Sequence, residues 1–295
     1  MTTVKDAIFT ESSEFDHLVK LLDDEDENIY SNIKDRFLSF GNNSSDFLKN
    51  YINDENTLIK KRAKEIVSIL NFETTSEKFI KLSQNKNGEF LEDALFLLAS
   101  WGFPEVNMSE YRKKLDNMAM DIKTQLLRID PDLSRIGSLE TINKINDYLF
   151  FVKGYNGNPS NFYDPDNSFL NRVIDTKLGI PISLSVIYIL IARKINIPVT
   201  GVNLPGHFIV KYSKGDDEFF IDPFNKGVII SMKEATEFVK KIGMSKEEFD
   251  KVPYLKETTD TEIILRVMRN LNEIYKKNAD ILRSSQLEKL MLTLV

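Results

Sequence analysis

Cysteine is absent from this 295-residue chain. That one absence removes disulfides, thiolate metal sites and cysteine nucleophiles together. Histidine is scarce as well. Only His17 and His207 are present, too few for a histidine-based zinc site, and no metal or other cofactor is expected. A clustered basic footprint is also missing. The longest basic runs, Lys60–Arg62 and Lys240–Lys241, stand beside acidic residues and read as solvated helix faces, so no nucleic-acid partner is expected. The net charge of −6 and pI of about 5.3 argue the same way, because a phosphate backbone selects cationic surfaces. No stretch reaches the ~18 uninterrupted apolar residues of a membrane helix. The first twenty residues are polar and acidic, without the apolar segment of a secretory signal. A cytoplasmic protein with no membrane partner is the expectation.

What is present suits a buried core: 42% of residues are hydrophobic and 28% charged, a balance typical of globular chains. The length suggests two domains of roughly 100–200 residues each. Near the start, Asp24, Glu25, Ile29, Ile33, Phe37 and Phe40 recur thirty residues on as Asp54, Glu55, Ile59, Ala63, Val67 and Leu70. Acidic residues followed by an apolar residue at every third or fourth position describe an amphipathic helix whose negative end meets the helix dipole. The pair is read either as a short stack of HEAT-like helices or as plain helical packing. The polar stretch Ser83–Gly88 then marks the expected boundary of this all-α region at residue 85.

Helices are expected at Leu91–Trp101, Ser109–Arg128 and Ser138–Phe151, and a loop from Gly154 to Ser168. From Pro181 the run PISLSVIYILIA is apolar on every side, which places a helix in the middle of a domain, with proline suited to its first position. Beyond it, Val199–Leu204, His207–Ser213, Glu218–Asp222 and Val228–Ser231 are short β-branched or aromatic runs between turn residues and read as antiparallel strands. A buried helix against a small antiparallel sheet is an α+β arrangement.

The segment YDPDNSFLNRVIDTKLGIPISLSVIYILIARKINIPVTGVNLPGHFIVKY, followed by FFIDPFNKG, closely resembles the SirB-type transglutaminase-like proteins. The resemblance runs from about Leu91 to Gly227. It implies a papain-like core over residues 86–255, with a helical tail over 256–295 whose start is IILRVMRNLNEIY. In that fold a cysteine stands at the N-terminus of the central helix, with a histidine and an aspartate on neighbouring strands. The helix end lowers the thiol pKa, the histidine moves the proton, and the carboxylate orients the imidazole. His207 in PGHF and Asp222 in FFIDPF fall on the histidine and aspartate positions of the resemblance. A two-residue hairpin turn at Lys214–Gly215 sets these two directly opposite one another, whereas a turn at Gly215–Asp216 shifts the register by two.

At the cysteine position stands Pro181, and Ser183 is the nearest side chain able to attack. Ser185 points from another side of the helix. Ser183 has two readings: a nucleophile activated by His207, or a first-turn residue that satisfies exposed main-chain groups. His207 with Asp222 is either a relict catalytic pair used in binding or a buried polar pair that stabilises the sheet. Pro181, Asn167, Gly206 and Asn225 are the candidate cleft-lining residues, with ordinary cap and turn roles as the alternative for the last three. His17 reads as a surface helix residue, and Trp101 as core. The leading expectation is a non-catalytic protein that binds a protein or peptide. The alternatives are a serine-dependent hydrolase or acyltransferase using Ser183, His207 and Asp222, and a structural helical-repeat adaptor.

Overall fold

A computed structural model of the chain describes residues 13–84, 90–230, 234 and 255–294. Lys240–Lys241, residues 85–88 of the expected boundary, and Ser231 lie outside the described residues. Contacts group the chain into two compact units, Met1–Lys78 and Phe79–Val295, which divide within a helix.

The first unit is helical: α1 (residues 13–20), α2 (Glu27–Ser39), α3 (Asn42–Leu48) and α4 (Thr57–Gln84), the last running past the unit's end. The acidic residues thirty positions apart make similar local bonds. Asp24 accepts from the Asp26 amide at 2.9 Å, and Asp26 from the Asn28 amide at 2.8 Å. Asp54 accepts from the Asn56 amide at 2.8 Å, and Asn56 from the Leu58 amide at 2.9 Å. Each short side chain thus satisfies an amide that the start of a helix leaves open. The apolar members of the repeat all pack in one core with Leu22 and Leu48.

The second unit opens with α5 (Phe90–Gly102), α6 (Met108–Ile129) and α7 (Ser138–Asn146), which continues into a π-helical stretch, Asp147–Val152. A short parallel pair, β1 (Asn156–Gly157) and β2 (Leu178–Gly179), brackets α8 (Leu170–Thr176). The central helix α9 (Pro181–Lys194) buries every residue from Pro181 to Ala192, as an all-round apolar sequence requires. It packs on β3 (Val199–Leu204) and β4 (His207–Lys214). With β5 (Asp217–Asp222), β6 (Val228–Ile230) and β7 (Glu257–Thr258) these form an antiparallel sheet in the order β6-β5-β4-β3-β7. Two helices follow, α10 (Asp260–Lys277) and α11 (Ile281–Leu292). The segment read as a tail therefore supplies an edge strand, and α10 packs on α5 and α9. Trp101 is core, its indole N–H donating to Gln286 Oε1 at 3.0 Å.

One register expectation is corrected. β4 and β5 pair as Lys214↔Asp217 and Val210↔Ile221, so the turn is Gly215–Asp216 and not Lys214–Gly215. Gly215 takes φ +63°. A two-residue hairpin with positive φ at its first loop position calls for glycine there, whereas the other turn would have put a lysine at that position.

Candidate functional site

The site is built where β3 and β5 end and β4 begins, beside the start of α9. Pro205–Gly206 is the two-residue turn between Leu204 and its partner His207. Proline followed by a glycine at φ +70° suits a type II turn, and it delivers His207 as the first residue of β4. Asp222 is the last residue of β5. The register places it diagonal to His207 and not opposite, yet a shift of two residues keeps both side chains on one face of the sheet. His207 Nε2 and Asp222 Oδ2 lie 2.8 Å apart, and both residues are buried at 7% exposure.

Asp222 also caps the helical turn Pro223–Asn225. It accepts from the Phe224 amide at 3.0 Å, the Asn225 amide at 3.3 Å and the Asn225 side-chain amide at 2.7 Å. Burial would push its carboxyl up, but the His207 hydrogen bond and charge, with both Asn225 donors, hold it below the ordinary value. An ionised Asp222 accepts from Nε2–H and fixes the orientation of the imidazole. The Phe224 ring meets the imidazole edge-on at 6.1 Å.

Beside this pair lies a cavity of about 350 Å³. Ile180, Pro181 and Ile182 at the start of α9 form one wall, and Gly206, His207 and Phe208 another. Phe162 and Tyr163, from the loop before α8, cover a third side, and α10 closes the fourth with Arg266, Asn270, Glu273, Ile274 and Lys277. Lys277 Nζ sits 3.7 Å above the Tyr163 ring, a cation–π contact that ties the loop to α10.

Of the residues singled out in the sequence, Pro181, Gly206 and His207 line this cavity together. Ser183 does not. Its buried hydroxyl donates to the Asn167 carbonyl at 2.6 Å, with the Ile180 carbonyl at 3.1 Å, and accepts from the Ile180 amide at 3.0 Å. The groups left open at a helix start have claimed it. Ser185 is directed at the Phe208 carbonyl, 3.3 Å away. Asn167 and Asn225 stand behind the lining. Asn167 donates to the Asn161 carbonyl at 2.7 Å and accepts from Asn158 at 3.0 Å, bracing the loop that carries Phe162 and Tyr163. It does not cap α8, whose first position follows Phe169. Asn225 is exposed and serves Asp222.

The aromatic and α10 residues were not among the candidates. Two adjacent aromatics in an otherwise polar loop were a readable sign, because Tyr163 remains 60% exposed. Nothing local marks Arg266. Among the described residues, no group of three or more His, Asp or Glu converges as a metal set, and no helix is long and apolar enough to cross a membrane.

A central buried helix, an antiparallel sheet and a histidine–aspartate pair at the helix start define a class. Residues 109–269 match the family model of the transglutaminase-like superfamily, and the chain belongs to that superfamily. A UPF0162 protein of Xylella fastidiosa (strain 9a5c) is 40% identical over 133 residues, 44% of this chain and 47% of that protein. A UPF0162 protein of Pseudomonas aeruginosa is 30% identical over 111 residues, 38% of this chain and 40% of its own length. F-box only protein 21 of Homo sapiens is 31% identical over 103 residues, 32% of this chain and 16% of that protein. The chain thus spans about half, or less, of the length of these relatives. No solved structure matches.

Proposed function

We infer that this chain is a SirB-type member of the superfamily that works without catalysis, holding a peptide or protein segment in the cavity beside His207. One observation carries the reading. The α9 wall facing that cavity presents Pro181 and Ile182, neither of which can attack a carbonyl, in a chain with no cysteine. The His207–Asp222 pair then serves as a polar anchor, able to donate or accept toward a bound backbone. The helical first unit, read as HEAT-like, adds a second binding surface, and the setting is cytoplasmic.

The serine-dependent hydrolase or acyltransferase is the second reading, with His207 as base and Asp222 as its orienter. It requires the hydroxyl and imidazole to meet at about 2.6–3.2 Å. Ser183 would first have to release two main-chain partners within a buried helix start. Two measurements separate the readings. A fluorophosphonate probe should leave Ser183 unlabelled, and acyl or peptide hydrolysis should not exceed that of His207→Ala; labelling at Ser183 that vanishes in His207→Ala reverses the assignment. With only two histidines in the chain, His17→Gln identifies the His207 imidazole signal by NMR. Pools of short peptides should move that signal, and silence across every pool removes the binding reading.

A further inference from the structure

Arg266 lines the cavity from α10, half-buried. Among the described residues no acid forms an ion pair with it, and burial and then the neighbouring Arg269 disfavour its charge. Several other cations on the second unit are paired with acids. Arg193 forks onto Asp260 at 2.7 and 2.9 Å, Arg172 meets Asp166 at 2.8 Å, and Lys194 lies 2.7 Å from both Glu92 and Asp116. Lys277, the other cation on the cavity wall, lies over the Tyr163 ring. A guanidinium loses hydration on partial burial and regains it through a planar anion that its fork can grip.

The rest of the lining describes what such an anion is attached to. Phe162, Ile180, Pro181, Ile182, Phe208 and Ile274 form the apolar part of the lining, so a hydrocarbon body fits beside the anion. At about 350 Å³ the cavity sits at the small end of the roughly 300–1,000 Å³ usual for ligand sites. That volume suits the end of a chain better than a segment running through. The one acid on this wall, Glu273, is seven residues from Arg266, roughly 10 Å along the helix at 1.5 Å per residue. The anion-binding end and the acidic end of the cavity are thus separate.

Building on the peptide-binding reading above, we propose that the cavity takes a carboxylate on an apolar body, with the carboxylate held by Arg266. A peptide C-terminus ending in an apolar residue is the source that fits that reading, and a small aliphatic or aromatic acid has the same chemistry.

The test uses the full chain and fluorescent pentapeptides ending in Leu, Val, Ile or Phe, each made as the free acid and as the C-terminal amide. In the wild type the best acid should bind about tenfold or more tighter than its amide, as a charge-assisted hydrogen bond allows. That ratio should shrink with added salt and fall to about one in Arg266→Leu. Arg266→Lys, which keeps the charge but loses the fork, should fall between, and it also serves should Arg266→Leu not fold. Trp101 emission checks the fold of both. Equal affinity for acid and amide, or a ratio that survives in both variants, overturns the carboxylate site while peptide binding stands. Binding of neither form overturns the site together with the reading beneath it. Competition by hexanoate or phenylacetate as strong as by the peptides keeps the site and replaces its source with a small acid.

Discussion

Asp222 accepts four hydrogen bonds on two oxygens, from His207, Phe224 and twice from Asn225. Its depressed pKa is therefore also a statement about stability. A carboxyl held lower in the folded than in the unfolded chain stabilises the fold above its ordinary value of 3.8, and that contribution is lost as pH falls through the folded value. Asp222→Asn should then cost about 1–3 kcal/mol at neutral pH, the usual penalty for an impaired buried hydrogen-bonding group. The gap between wild type and variant should narrow as pH drops below about 5 and go on narrowing through the folded value, which lies beneath 3.8. Thermal or urea unfolding across that range measures it, and a gap of constant size would show that the carboxyl is not held low. Ser183 teaches the opposite lesson at the same scale: its residue type permitted chemistry, but its place three residues past Ile180 committed it to the main chain.

Among the elements, two glycines with similar φ make separate demands. Gly206, φ +70°, turns β3 into β4 with open space around it, whereas a Cβ on Gly227, φ +72°, would meet Asn146 at 2.5 Å and Phe150 at 2.6 Å. Gly206→Ala should cost only the left-handed backbone penalty, about 1–2 kcal/mol. Gly227→Ala should cost about 2–5 kcal/mol, because overpacking adds to that penalty and the Asn146 bond to the Gly227 carbonyl at 2.7 Å is displaced. Denaturant midpoints of the two variants check the order; equal losses would mean that the packing around Gly227 yields freely. Elements with a strong local signal were legible in the sequence: the run PISLSVIYILIA could only be a buried helix, and Pro-Gly before His207 could only be a turn. Register was less so. KGDD admits two hairpin turns, and the choice rests on which residue accepts a positive φ. The face shared by His207 and Asp222 survived either choice, because a two-residue shift conserves side-chain parity. The α10 wall was not legible at all. Arg266 lies 59 positions beyond His207, and only packing across the unit brings it to the cavity.

For the whole molecule, the decisive division is the one between Lys78 and Phe79. A unit with its own core should fold alone, and the second unit holds a continuous set of buried elements from α5 to α11. The chain has a single tryptophan, and Trp101 packs on Phe169 and Tyr275 with its N–H on Gln286. Its emission therefore reports the second unit alone, linking helix α5 to the chain's last helix. A fragment of residues 79–295 should be soluble and monodisperse, and its Trp101 unfolding transition should fall within about 1 kcal/mol of that of the full chain, the scale of an ordinary surface effect. In the full chain, circular dichroism should then record a second helical transition that Trp101 does not sense, since two independent cores unfold separately and break two-state behaviour. Coincident transitions in the full chain, with a fragment whose Trp101 emission is already that of an unfolded indole, would show that the two units form one cooperative structure.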